Sequence, residues 1–390
     1  MAGQYSHRQF FRQTPNALLH RYFEHKGISF NVDFSTVKEN DGDTLFNALI
    51  ALEDNEQTIA EADFKAINAL ACEAGIQALV DESAYFNDEG FVAEIATIEG
   101  FHAKALWAFI EKPNYWHCAA MFLHADNVSA SYWKKRINLP QITHDIEDEA
   151  IDALSHAISD YFYAKEARGR HCKIEAYSRH DREYLFSYPE DHAKSDVEWV
   201  SDSLTSRAFH PAFEIIFVYC ATEGSLDIYA PKNTKAVEEL QKLFAKHILN
   251  VDSLADGKID KRVYELDSVA DPNFEFTITP ESGIESAVVT HLRLTLNTHP
   301  RKRITLEADT KKTANAVYDL LGELDLPDYF ITQVGVKVTF TAQGNQRATL
   351  KRFNITYPNN CALHHDGKDL KIREMLIASG IEPQNNIVTE

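Results

Sequence analysis

The sequence predicts an α+β protein, with a helical amino-terminal domain followed by two tandem ββαββ modules and a carboxy-terminal helix. Three observations lead to this fold class. Apolar residues recur at helical spacing through the first 168 residues. After the Arg168–Arg170 stretch they alternate as in half-buried strands. In the second half of the chain, a strand–turn–strand–helix unit occurs twice.

The amino-terminal helices are predicted from apolar periodicity and from residues that start or stop helices. Thr14 can cap a helix, and Pro15 at its first position lacks only an N–H that would be unpaired anyway. Gly27 supplies the corresponding end, and Asp43 is the expected cap of the next helix. Further helices are expected at 58–73, 101–110, 115–123 and 146–167. Short links between them predict an antiparallel bundle or an irregular solenoid.

The internal repeat defines the carboxy-terminal half, and strands at 173–177 and 184–188 precede it. The first copy comprises strands at 214–219 and 226–230, a helix from about 233, and strands at 263–266 and 274–278. The second comprises strands at 292–296 and 304–308, a helix, and strands at 336–340 and 353–357. Leu240 and Leu320 lie on the apolar faces of the two helices and are predicted core residues. A last helix is expected at 368–379.

Length and pattern together predict the domain boundaries. A chain of 390 residues exceeds the size at which a single core stops growing, so several domains are expected. We predict a helical domain at 1–168, a first α+β module at 169–282, and a second module with the terminal helix at 283–390. Duplicated modules are typical of a scaffold or a shared groove.

Composition restricts the class of function. A hydrophobic fraction of 44% argues against large-scale disorder, and a net charge of -20 disfavours general binding to nucleic acid or anionic membrane. Five dispersed cysteines without a CxxC pair are typical of buried thiols in a reducing compartment. The first residues lack the apolar segment of a signal peptide, and no apolar run is long enough to span a membrane. The predicted location is therefore cytoplasmic.

Motifs for catalysis are weak, and we predict neither a catalytic residue nor a cofactor. The sequence has no G-x-S-x-G elbow, no GxxxxGK[ST] loop, and no GxGxxG after a strand. A metal-dependent hydrolase centred on His364, His365 and Asp366 is kept as an alternative. That sequence is similar to the His-Asp doublet of HD-type metal-dependent phosphohydrolases, although here it follows what is predicted to be a loop.

Local basic groups interrupt the acidic background and indicate, for an alternative function, a phosphate or nucleic-acid site. The expected exposed groups are Trp133, Lys134, Lys135 and Arg136; the junction arginines Arg168, Arg170, Arg179 and Arg182; and Arg301, Lys302 and Arg303 in a hairpin turn. Cations beside aromatic residues can bind phosphates and stack bases. The alternative interpretation is that each group neutralises neighbouring carboxylates.

These observations predict a non-enzymatic cytosolic binding or regulatory protein that is a subunit of a larger assembly and has protein partners. For a bacterial source, regulation or phage defence are the general roles to consider. A nucleic-acid- or nucleotide-responsive protein that uses the basic groups is the first alternative, and the metal-dependent hydrolase is the second. Strong salt dependence of binding would favour the first alternative.

Overall fold

The computed structural model describes residues 5–142, 146–200, 203–252, 254, 263–342, 348–365 and 367–382. It is a mixed helix-and-sheet protein with a helical amino-terminal region, as predicted. Contacts divide the chain into two compact units, Met1–Val128 and Ser129–Glu390. Within the described ranges, no helix combines the length and the apolar character needed to cross a membrane.

The first unit is built from helices around an aromatic core. Its helices are α1 (His7–Gln13), α2 (Asn16–Lys26), α3 (Gly42–Leu49), α4 (Asp54–Leu70), α5 (Glu73–Tyr85), α6 (Phe91–Ala96), α7 (Phe101–Glu111) and α8 (Pro113–Asn127). Phe10, Phe11, Tyr22 and Phe64 are fully buried, and the ring centroids of Phe10 and Phe64 lie 4.6 Å apart. Large rings bury the most apolar area per residue, so they dominate the stability of this core.

Two predicted helix caps in this unit are wrong. The Thr14 hydroxyl donates to the Phe10 carbonyl at 2.7 Å, because α1 ends just before it. The third helix begins at Gly42, two residues earlier than expected, so Asp41 is its cap and accepts from the Thr44 amide. Asp43 instead pairs with Arg8 at 2.6 Å. The predicted stop at Gly27 is confirmed by its left-handed backbone, with φ of 66°.

The second unit contains a first antiparallel sheet covered by two helices. Its elements are β1 (Trp133–Arg136), α9 (Asp148–Glu166), β2 (Ile174–Arg179), β3 (Arg182–Ser187), β4 (Lys194–Val200), β5 (Ser203–Phe209), β6 (Ile215–Cys220), β7 (Ser225–Tyr229) and α10 (Val237–His247). The strand order is β1-β7-β6-β3-β2, while β4 and β5 form a separate pair. Both β6 and β7 are buried along their whole length.

The long helix α9, which we placed with the amino-terminal helices, packs on this first sheet. Leu154, Ile158 and Phe162 form its apolar stripe and share a core with Phe217 and Leu240. The contact boundary consequently lies at Val128 and Ser129, before β1, and α9 belongs to the second unit. Periodicity alone shows that a helix has an apolar face, but the element that covers this face is chosen by tertiary packing.

A second five-stranded antiparallel sheet follows. Its elements are β8 (Ile284–Leu296), β9 (Arg303–Glu307), α11 (Ala316–Gly322), β10 (Tyr329–Phe340), β11 (Thr349–Thr356), β12 (Asn360–Cys361) and α12 (Gly367–Ala378). The strand order is β12-β11-β10-β8-β9. Residues of α11 and α12, including Val317 and Leu376, pack against the strands in one core. Short 3-10 helices occur at Ala130–Tyr132, Asp267–Ala270 and Pro280–Ser282.

The predicted repeat is observed only in part. In the second copy, the order β8-β9-α11-β10-β11 agrees with the predicted ββαββ pattern. In the first copy, β6, β7 and α10 are present, but residues 263–266 and 274–278 form no strands, so that part of the prediction is wrong. The amides of Val263 and Tyr264 both donate to the Pro358 carbonyl, and their side chains join the core of the second sheet. Apolar residues alternate in this segment because their side chains are buried in a core, although its backbone joins no strand ladder among the described residues.

Candidate functional site

The predicted basic patch at Trp133–Arg136 forms the edge strand β1 and is largely closed to solvent. Lys135 is 3% exposed and Arg136 is 5% exposed, so the expectation of an exposed patch is wrong for both. On one side β1 pairs with β7. On the other side the Lys135 amide donates to the Asn359 carbonyl at 2.9 Å, and the Asn360 side chain donates to the Trp133 carbonyl at 2.7 Å. The strand is therefore covered by both sheets of its unit.

The other two residues of this patch are half-buried. The indole of Trp133 packs on Tyr229, with ring centroids 5.4 Å apart. Burial lowers the pKa of Lys134. The four residues therefore form a packed joint between two sheets, and they do not present a continuous basic surface.

Lys135 lies at the centre of a buried ionic junction, which we define as Lys135, Arg182, Glu223, Asp227, His365, Arg373 and Glu382. The Lys135 Nζ lies 2.9 Å from Glu223, 3.0 Å from Glu382 and 4.0 Å from Asp227. Arg182 pairs with Glu223, and the Arg373 Nη1 lies 3.2 Å from Glu382. Three cations thus face three carboxylates.

The electrostatics of the junction follow from this pairing. Burial disfavours the charged form of Lys135, but the carboxylates of Glu382, Asp227 and Glu223 outweigh it and raise its pKa. Burial also opposes ionisation of Glu223 and Asp227, but neighbouring cations, Lys135 first, hold the pKa of both carboxyls well below the usual range. Charged groups buried in this way stay ionised because their countercharges are fixed in place.

The predicted metal doublet joins the same junction. The Nε2 of His365 lies 3.3 Å from Asp227, and His365 is 7% exposed. Burial, aided by Arg373, lowers the pKa of His365 to about 4, so the ring is neutral at pH 7. The His364 amide donates to Asp369 at 2.9 Å, while Asp366 lies outside the described residues. Across the described part of the chain, no group of three or more His, Cys, Asp or Glu residues is arranged to hold a metal.

The four arginines at the predicted domain boundary, Arg168 to Arg182, lie in different surroundings. Arg168 stacks on Phe213, with its guanidinium carbon 4.2 Å from the ring centroid, and its Nη1 donates to Asp191 at 3.0 Å. Arg179 and Arg182 are both buried. Arg170 is exposed at the rim of a cavity of about 600 Å³. The guanidinium groups of Arg168, Arg179 and Arg182 therefore make their contacts inside the protein.

The cavity beside Arg170 contains cations and a compensating carboxylate. His171, Lys173, Glu190 and His210 also line it. The Glu190 carboxylate lies 3.0 Å from the Nδ1 of His210 and 3.7 Å from the Nε2 of His171, while Lys173 pairs with Glu175 at 3.2 Å. Because carboxylates lie among its cations, this cavity does not favour an anionic ligand.

Arg301, Lys302 and Arg303 are exposed where the chain turns from β8 to β9. Arg303 begins β9 and pairs with Thr295 of β8. Of the predicted basic groups, this one is fully exposed, and it lies at one end of the second sheet. The structure does not bring it together with Lys135 or Arg168 in a single site.

A projecting hairpin, which we call the arm and define as β4 and β5, was not predicted from the sequence. Thirteen of its fourteen residues are exposed, and Phe209 is half-buried. The register places Val197, Trp199, Leu204 and Ala208 on one face, where Trp199 lies opposite Leu204. Trp199 is 72% exposed. Apolar alternation at 195–199 was the available signal, but it predicts a buried strand face as readily as a projecting one.

The base of the arm is fixed to the first sheet. Glu190 and Ala212 form a bridge between the ladders of β3–β6 and β4–β5. The Asp191 amide donates to the Pro211 carbonyl at 2.6 Å, and the Phe213 amide donates to the Pro189 carbonyl at 2.9 Å. Arg168 stacks on Phe213 beside these bonds. The chain therefore leaves the sheet along β3, forms the arm and returns along β6.

Comparison with known proteins returns no match: no family model, no curated protein and no solved structure is similar to this chain.

Proposed function

We propose that this chain is a non-enzymatic binding protein, a subunit of a larger assembly, which docks a partner protein through the arm. The observation that carries this proposal is the exposed apolar face of the arm, with Val197 64%, Trp199 72% and Leu204 59% exposed. Large exposed apolar side chains gathered on one face are typical of interaction sites, and tryptophan is enriched among residues that dominate binding energy.

The secondary structure of the arm supports a docking role. A two-stranded hairpin alone is marginally stable in water, so it gains stability when a partner covers its apolar face. Neither β4 nor β5 pairs with a third strand within the described residues. Each outer edge therefore offers backbone donors and acceptors to which a partner strand can be added.

The anchored base makes the arm suited to tight binding. Arg168, the bridge between Glu190 and Ala212, and the backbone bonds at Pro189 and Pro211 fix the direction in which the arm leaves the sheet. Less conformational freedom is then lost on binding than for a loose loop, which increases affinity.

The charges on the arm indicate an apolar, uncharged partner surface. The face that carries Trp199 has no charged residue, and the opposite face carries Lys194 and Arg207 against Asp196 and Glu198. The described part of the arm is thus neutral in a chain of net charge -20. Docking of this neutral arm to an uncharged surface therefore leaves no charge on its apolar face without a countercharge.

The test compares two double variants on opposite faces of the arm. Trp199→Ser with Leu204→Ser removes the apolar face, whereas Glu198→Gln with Thr205→Ser changes the opposite face at the neighbouring positions. A protein that copurifies with the wild-type chain should be retained by the control and lost from the apolar-face variant. Titration of the purified partner should show a loss of at least about 2 kcal/mol, roughly thirtyfold.

Equal retention of the partner by both variants would overturn the proposal, as would the absence of any partner in the cells that encode the chain. Sedimentation of the purified chain shows whether a second copy occupies the arm. The hydrolase alternative gains no support from the described residues, because His365 is closed to solvent and contacts Asp227.

A further inference from the structure

The second sheet has one face packed on its helices and one open face. Leu292, Val334 and Ile355 point into the core and are fully buried. The next residues along each strand, Arg293, Gln333 and Thr356, point the other way and form a row across β8, β10 and β11. A half-buried antiparallel sheet alternates in this manner, and its outer face is normally solvated and electrically mixed.

On this sheet the open face carries an excess of cations. The register places Arg303 opposite Thr295, Arg293 opposite Gln333, and Lys337 opposite Arg352. The Lys337 Nζ contacts the Thr310 hydroxyl at 3.2 Å, and among the described residues none of the three arginine side chains has a carboxylate partner. These strands carry two acidic residues, Glu307 on β9 and the exposed Glu285 on β8, against the four cations.

The pairing of Lys337 with Arg352 is unfavourable by itself. Like charges directly opposite each other on neighbouring strands destabilise a sheet. A chain with 59 acidic and 39 basic residues has abundant carboxylates, yet none contacts this pair within the described residues. The arrangement differs from the ionic junction, where each cation faces a carboxylate, and it suits an external anion.

Aromatic rings lie at one end of the same face. Phe330 on β10 and Arg303 on β9 both pair with Thr295 of the strand between them, so they lie two strand spacings apart, about 10 Å. The ring centroid of Phe330 lies 6.3 Å from that of Tyr357. Tyr357 is 37% exposed. From Arg303 to Arg352 the face crosses three strand spacings, about 14 Å, and from Phe330 to Lys337 it extends about 23 Å along β10. A short run of nucleotides fits these dimensions.

We propose that the open face of the second sheet binds single-stranded nucleic acid. The four cations contact phosphates, and Phe330 and Tyr357 stack on bases. Stacking of this kind requires unpaired bases, because the bases of a duplex are already stacked on one another. The proposal is independent of the arm, and of the predicted basic groups it retains Arg301–Arg303, at the edge of this face.

The first test measures binding of the full chain to 12-nucleotide single-stranded RNA and DNA of mixed sequence by fluorescence anisotropy, at several salt concentrations. Each phosphate contact contributes about 0.7 to the slope of log affinity against log salt for single strands, so four cations predict a slope of about -3. Arg303→Gln with Arg352→Gln should weaken binding and reduce this slope by about half. Both side chains are exposed, so the fold should be unchanged.

A matched control removes two exposed cations elsewhere in the same unit, Lys165→Gln with Lys246→Gln. It changes the net charge equally and should retain wild-type affinity and slope. If wild type shows no binding at low salt, or if both double variants lose equal affinity, the proposal is wrong. A preference between RNA and DNA would identify the nucleic acid, since only RNA offers a 2′-hydroxyl.

The second test separates base stacking from simple attraction of anions. Phe330→Leu keeps an apolar side chain but removes the ring, and it should weaken oligonucleotide binding at least about fivefold. Binding of inorganic polyphosphate should be unaffected by this change. Polyphosphate or duplex DNA that binds wild type as tightly as the single strand would overturn the assignment and leave only a general anion surface.

Discussion

Two basic regions of the second unit differ in what surrounds their charges. In the ionic junction, Lys135 is buried and lies within 4.0 Å of three carboxylates. On the open face of the second sheet, Arg352 is exposed and lies opposite another cation, Lys337. Both are basic residues on strands, yet one stabilises the fold and the other is available to a ligand. The role of a basic residue therefore depends more on where its countercharge lies than on its own charge.

The largest expected difference between the two regions is in stability. Lys135→Met should reduce the free energy of unfolding by about 3–5 kcal/mol, because it leaves buried carboxylates without their shared cation. Arg352→Met should change it by less than about 0.5 kcal/mol, because an exposed residue without a salt bridge contributes little. Urea unfolding followed by circular dichroism measures both. Similar losses in the two variants would remove the distinction between the regions.

The helices that cover the two sheets allow a second comparison. Leu240 of α10 is fully buried, whereas Leu320 of α11 is half-buried against its core. Leu240→Ala should cost about 2–5 kcal/mol, the usual range for a buried leucine, and Leu320→Ala should cost clearly less. Thermal and urea unfolding of the two variants give the values. A larger loss at Leu320 would show that the second copy has the more tightly packed helix.

The smallest expected effect concerns pH and the neutral histidine of the junction. The pKa of His365 is lowered from 6.5 to about 4, so between these values the unfolded chain binds a proton that the folded chain does not. Stability should therefore fall as pH decreases through this range, by about 1–2 kcal/mol between pH 7 and pH 5. The carboxylates of Glu223 and Asp227 remain ionised over this interval because their pKa values are lowered.

The variant His365→Gln should have a flatter dependence of stability on pH than the wild-type chain between pH 7 and pH 5. Unfolding free energies measured in urea at several pH values test this directly. If the two chains have the same slope, His365 is not held neutral by its surroundings, and the electrostatic description of the junction needs revision.

Local patterns determined much of the secondary structure. Helical spacing located α2, α3, α4, α7, α8 and α9 but not α1, α5 or α6, and alternation located β2, β3 and the strands of the second copy. These signals are local, because a helix face repeats every three or four residues and a strand face every two. The same reasoning placed Leu240 in the core, where it is buried.

Tertiary structure decided the sites. Lys135 and Glu382 are 247 positions apart in sequence but 3.0 Å apart in the fold, so no local pattern could show that the basic strand is neutralised. Residues 263–266 alternate like a strand but pack in a core without a strand partner. The arm also alternates, yet nothing covers its apolar face among the described residues. Burial and pairing depend on residues that are distant in sequence. The sequence alone therefore determined which side chains share a face of each element, and only the tertiary structure determined which residues that face contacts.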